Sequence, residues 1–74
     1  MSRQPPQMTR AKRLSHDQAL ALRKARVAEG LTRAQLAVAI GVDPSTVARW
    51  EDGVSYPSPL ALGVLRDRYP GVGL

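Results

Sequence analysis

The chain is punctuated as a series of short helices, and that punctuation constrains its fold more than any other feature. Four start signals occur in order: Ser15 with Gln18, Thr32 with Gln35, Asp43 before Pro44, and Ser58 before Pro59. The first two have S/T-x-x-Q spacing, in which each side chain satisfies a backbone N–H left over at a helix start. In the other two a capping residue precedes a proline at the first helical position, where the missing N–H costs nothing. Stops follow at Gly30, Gly41, Gly53 and Pro70-Gly71. Glycine takes the left-handed backbone that ends a helix without a Cβ penalty. The spacing predicts helices from His16 to about Ala28, from Arg33 to about Ala39, from Pro44 to Glu51 or Asp52, and from Pro59 until Pro70-Gly71 terminates the last. Helices this short are marginal alone in water, so each must bury a side against the others.

The inward sides follow from helical spacing. They are Ala19, Leu22, Arg26 and Val27 on the first helix, and Leu36, Ala37 and Ile40 on the second. Val47 and Trp50 face inward on the third, and Leu62, Leu65 and Tyr69 on the fourth. There is no strand pattern, internal repeat or heptad, so the expected fold is all-α, a compact bundle. At 74 residues the chain is one domain, with little room for an enclosed substrate pocket besides its core. It has no cysteine, which excludes disulfides, zinc ribbons and thiol catalysis. No apolar run reaches the roughly 18 residues of a membrane span, and no secretory leader pattern follows Met1. A cytoplasmic location is therefore expected.

Charge separates two parts. Residues 1–13 hold Arg3, Arg10, Lys12 and Arg13 and no acid, whereas residues 14–74 hold seven bases and six acids. The first part also contains Pro5-Pro6 and few large apolar groups, so it reads as a flexible basic N-terminal arm. The second part is the domain. A basic arm beside a small domain suits a polyanion. A solubilising tail is the alternative.

The second and third helices, joined by Gly41-Val42-Asp43, have the layout of a helix-turn-helix. Small Ala37 allows their close approach, and Ile40, Val42 and Val47 can seal the angle between them. In such a motif the second helix offers its first residues to base edges in the major groove. The stretch from Leu22 to Leu65 resembles the Cro/C1-type helix-turn-helix domain of phage repressors and bacterial XRE regulators. The matching residues are Leu22-Arg23, Gly30-Leu31-Thr32, Leu36-Ala37, Gly41-Val42-Asp43, Thr46-Val47, Trp50-Glu51, Gly53 and Pro57. The resemblance implies a bundle of four or five helices that binds duplex DNA. By position it assigns base contacts to Pro44, Ser45, Thr46 and Arg49. It assigns phosphate contacts to Arg33 and Gln35 at the start of the second helix and to Tyr56 in the loop after the third. Arg26 and Glu51 match a semi-buried ion pair between the first and third helices.

The side-chain chemistry can be weighed separately. The planar fork of Arg49 fits the O6/N7 edge of guanine, a contact worth about 1–3 kcal/mol of discrimination; a phosphate contact or plain solvation is the alternative. Ser45 can donate to base or phosphate. Thr46 has base contact and local backbone bonding open to it. Pro44 has only a thymine methyl or a sugar to touch, or serves the helix start alone. Arg33 stands beside helix N–H groups that favour an anion. Tyr56 has a phosphate contact or packing beside Pro57 open to it, and Trp50 reads as core. Arg10, Lys12 and Arg13 of the arm supply further phosphate contacts.

Three departures from the pattern stand out. Asp43 replaces the usual Ser or Thr cap and brings a negative charge toward the groove. Asp52 stands where Asn is common. The last segment, Pro70-Gly71-Val72-Gly73-Leu74, is too short and glycine-rich to form a fifth, dimer-forming helix. The expectation is a monomer or weak homodimer, two copies of which meet on a palindromic operator. No metal, cofactor, small-molecule ligand or membrane partner is expected. His16-Asp17 in a first helical turn does not make a catalytic constellation, so the chain does not read as an enzyme. The function expected is a Cro-like repressor occupying its operator through helix 44–52. An antitoxin that also binds a toxin partner, or a DNA-bending recombination accessory protein, are the alternatives.

Overall fold

In the computed structural model of the chain, which describes residues 12–74, each start signal opens a helix. The helices are α1 (His16–Ala28), α2 (Arg33–Ile40), α3 (Pro44–Glu51) and α4 (Pro59–Arg68), followed by a 3-10 turn over Pro70–Val72. The described residues form no strand. Of the predicted arm only Lys12 and Arg13 are described, and both are exposed; Arg3 and Arg10 lie outside the described residues.

Both capping boxes are closed. Ser15 N–H donates to Gln18 Oε1 at 3.0 Å, and Gln18 N–H to Ser15 Oγ at 3.1 Å. Thr32 and Gln35 repeat the exchange at 2.8 and 3.1 Å. Ser58 Oγ accepts from Ala61 N–H at 3.3 Å. Asp43 departs from expectation. It holds the N-cap position, but its carboxylate makes no capping bond. The Thr46 N–H, at the position a capping side chain would take, is bonded at 2.9 Å to Asp43's own carbonyl oxygen. The carboxylate is therefore left free beside the start of α3.

The turn between α2 and α3 depends on Gly41, whose φ of +92° would strain any side-chain-bearing residue. The N–H groups of Gly41 and Val42 both donate to Ala37 O, at 2.8 and 2.9 Å, closing the end of α2. Ala37 is itself buried, which lets α2 and α3 meet closely.

The core is built from Leu14, Ala19, Leu22, Leu36, Ala37, Val47, Trp50, Ala61, Leu65 and Tyr69. Two inward assignments are corrected. Val27 is 57% exposed. The buried line on α1 is Ala19, Leu22 and Arg26, and Val27 lies one residue, about 100°, further round. Leu62 is half-buried, because α4 turns Ala61, Leu65 and then Tyr69 to the core. Leu14, not assigned to the core from sequence, is buried and donates its N–H to Ser55 O at 3.2 Å. It precedes the Ser15 cap while Ala19 is the fourth helical residue, the spacing of a hydrophobic staple.

The chain's last residues are tied back. Val72 and Leu74 rest on the core, and Gln18 Nε2 donates to Gly73 O at 3.2 Å. Arg68 grips Glu29 through two bonds of 3.0 and 2.8 Å, and Tyr69 O–H donates to the same carboxylate. That cluster locks the end of α4 onto the end of α1. A surface furrow of about 450 Å³ runs along α1, lined by Leu20, Arg23, Lys24, Val27 and Ala28. Its lining comes from one helix, so it is not an enclosed pocket. No helix among the described residues is long and apolar enough to cross a membrane.

Candidate nucleic-acid interface

α3 is held by one side and offers the other. Val47 and Trp50 are buried, and burying groups of this size stabilises by about 1.5–3 kcal/mol each. Trp50 is thereby core, not a stacking platform. Pro44, Ser45 and Arg49 are exposed, and Thr46 is half-buried. Ser45 and Arg49 are four residues apart and so share a face. Among the described residues Arg49 has no ion-pair partner. Its five N–H donors are free for a base edge or a phosphate.

At the other end of α3, Glu51 ties three elements together. Its side chain is completely closed off from solvent. Arg26 of α1 grips it bidentately, Nε to Oε2 at 2.6 Å and Nη2 to Oε1 at 3.0 Å. Arg26 Nη1 also donates to Leu31 O at 2.8 Å, before α2. The bonds to Glu51 hold the Arg26 guanidinium above its ordinary range, against the opposing effect of burial. Loss of one member of such a buried pair leaves the other charge uncompensated.

Arg33 joins the same carboxylate. Its Nε donates to Glu51 Oε1 at 3.1 Å, and Nη2 lies 4.0 Å from Asp52 Oδ1. Its side chain is nevertheless 42% exposed. Nothing in the spacing of Arg33 and Glu51 announces this bond, because it depends on the angle between α2 and α3. Gln35 is exposed; its Oε1 is used by the capping box, leaving the amide NH₂ for another partner. Tyr56 is half-buried against the core, and Lys12 Nζ lies 4.6 Å from its ring centroid. Tyr56 stands next to buried Pro57. Arg13 is exposed nearby in sequence, whereas Arg10 lies outside the described residues.

The arrangement is therefore two short helices at a tight glycine turn, the second showing a polar face with an unengaged arginine. A family model described as helix-turn-helix matches residues 22–69, from the middle of α1 to the end of α4. The chain belongs to the Cro/C1-type helix-turn-helix family. No curated protein matches it. As a Cro/C1-type domain it is a DNA-binding protein of the transcription-regulator kind, and its partner is double-stranded DNA.

Proposed function

We propose that this Cro/C1-type domain is a repressor that occupies an operator and keeps polymerase from the promoter. The observation that carries the reading is the face of α3, where Ser45 and Arg49 stand exposed and Arg49 is without an ion-pair partner among the described residues. α3 enters the major groove by its first turn. Arg49 takes a guanine edge, Ser45 and Thr46 donate or accept at neighbouring bases, and Pro44 lies against a sugar or a thymine methyl. Arg33, Gln35 and Tyr56 hold phosphates on either side. Arg10, Lys12 and Arg13 add backbone contacts beyond them, which the near-neutral body of the domain needs for affinity. Two copies meet on a palindromic site, with half-sites about one helical turn apart. The protein acts in the cytoplasm, where its DNA is.

The reading is tested by selecting bound duplexes from a random pool and transcribing a promoter that carries the selected site. The proposal expects one enriched, two-fold symmetric sequence and transcription that falls as protein is added. Rising transcription from the same template would replace repression with activation. Equal binding to all duplexes would remove the base-reading role of α3.

A further inference from the structure

Glu51 has more partners than a structural ion pair requires. Arg26 is buried and needs the carboxylate. Arg33 does not need it, since water reaches its guanidinium. The bond from Arg33 Nε to Glu51 Oε1, 3.1 Å long, instead fixes where that guanidinium sits. Nε is engaged by a fully buried carboxylate, so the donors left for another partner are those of Nη1 and Nη2. Four N–H donors remain there, at the first residue of α2, where free backbone N–H groups already favour an anion. The charge balance points the same way. Two guanidinium groups share one carboxylate, and Arg26 grips it bidentately while spending Nη1 on Leu31 O. The surplus positive charge therefore lies on Arg33. Asp52, 4.0 Å from Nη2, is beyond hydrogen-bond distance and makes only an exposed, solvent-screened ion pair with it, which a phosphate can displace.

We propose that Glu51 is a positioning residue for DNA binding: from inside the fold it holds Arg33 by Nε and turns the two Nη groups outward to take a backbone phosphate. The proposal rests on the assignment of Arg33 to phosphate and adds what aims it. It carries a distinctive sign. Glu51→Gln removes a negative charge, so by long-range field alone the variant binds a polyanion more tightly. A Glu51 that merely competed with phosphate for Arg33 gives the same direction. A positioning Glu51 gives the opposite one, since Arg33 loses its aim.

The experiment measures affinity for one selected duplex as a function of salt, at a temperature where circular dichroism shows each variant folded. The variants are Glu51→Gln, Arg33→Ala, the two combined, and Arg33→Lys. Arg33→Ala is expected to weaken binding several-fold and to lower the salt slope by about 0.9, one phosphate contact. Glu51→Gln is expected to weaken binding several-fold when Arg33 is present, and by about twofold or less when Ala stands at position 33. Tighter or equal binding by Glu51→Gln overturns the proposal, and so does an equal loss in both backgrounds; in either case the phosphate role of Arg33 stands on its own result. Unchanged affinity and slope in Arg33→Ala overturns that role and the proposal with it. Should Glu51→Gln not fold, Arg33→Lys decides. A lysine keeps the charge but cannot hold Glu51 with one edge and phosphate with another, so it is expected to lose most of what Arg33→Ala loses. Binding by Arg33→Lys at the parent level overturns the proposal.

Discussion

Arg33 and Arg49 carry the same group on consecutive helices and are held in opposite ways. Arg33 opens α2 with its Nε bound to a buried carboxylate, whereas Arg49, in the last turn of α3, has no ion-pair partner among the described residues. The arginine side chain has about 2 kcal/mol of rotamer entropy to lose. At Arg33 part of that loss is met on folding, so less remains to be met on binding. At Arg49 all of it remains, and in return the fork can be oriented by the base edge it meets. A phosphate presents nearly the same target at every step of a duplex, so a fixed donor suits it. Bases differ, and discrimination among them comes from a bidentate fit that a wrong partner leaves unmade.

The strongest way to break this comparison is to remove the anchor. Glu51→Ala leaves Arg26 buried and unpaired, and stability to urea is expected to fall by about 3–5 kcal/mol. A loss within about 0.5 kcal/mol would mean the cluster is an ordinary surface ion pair. Removing the free member does the reverse. Arg49→Ala is expected to leave the urea midpoint nearly unchanged and to cost about 1–3 kcal/mol of discrimination at one base pair of the selected site. Uniform weakening across all duplexes would place Arg49 on a phosphate.

The turn that joins the two helices is tested by Gly41→Ala. No atom lies within 4 Å of the Cβ it would add, so the cost is that of the left-handed backbone alone, about 1–2 kcal/mol, read as a lower melting temperature. A variant as stable as the parent would show that α2 and α3 do not depend on that backbone. The smallest effect belongs to the cluster far from α3. Glu29 has its carboxyl held below the usual range, first by Arg68 and then by Tyr69. A carboxyl lowered on folding stabilises fully above its unfolded value of about 4.3, and that stabilisation is lost as pH falls through the lower folded value. Glu29→Gln is expected to flatten this acid limb while DNA affinity at neutral pH stays as it was. An unchanged acid limb would show that the cluster adds nothing to folding.

What could be read from the sequence was local. Capping boxes, prolines and glycines placed α1 to α4 because these signals act within a few residues. Val47 and Trp50 were legible from their spacing, and Arg26 with Glu51 from the family resemblance. Assignments failed where tertiary geometry decided. Val27 faces solvent because Arg26, neutralised by Glu51, occupies the inward place. Asp43 leaves its carboxylate free while the Thr46 N–H goes to its own carbonyl oxygen. The bond between Arg33 and Glu51 spans 18 residues and depends on how two helices cross. Leu14 was within reach of sequence alone, as a large apolar residue just before a capping box, the staple position.

Methylation interference on the selected operator, run with the parent and with Arg49→Ala, tests most directly whether α3 reads bases. Blocking N7 of one guanine in each half-site is expected to abolish binding by the parent, and the same lesion is expected to have no further effect on the variant. If no guanine N7 matters, Arg49 does not take a guanine edge; if, in addition, no base-pair substitution in the half-site changes affinity and only alkylated phosphates interfere, α3 does not read the major groove.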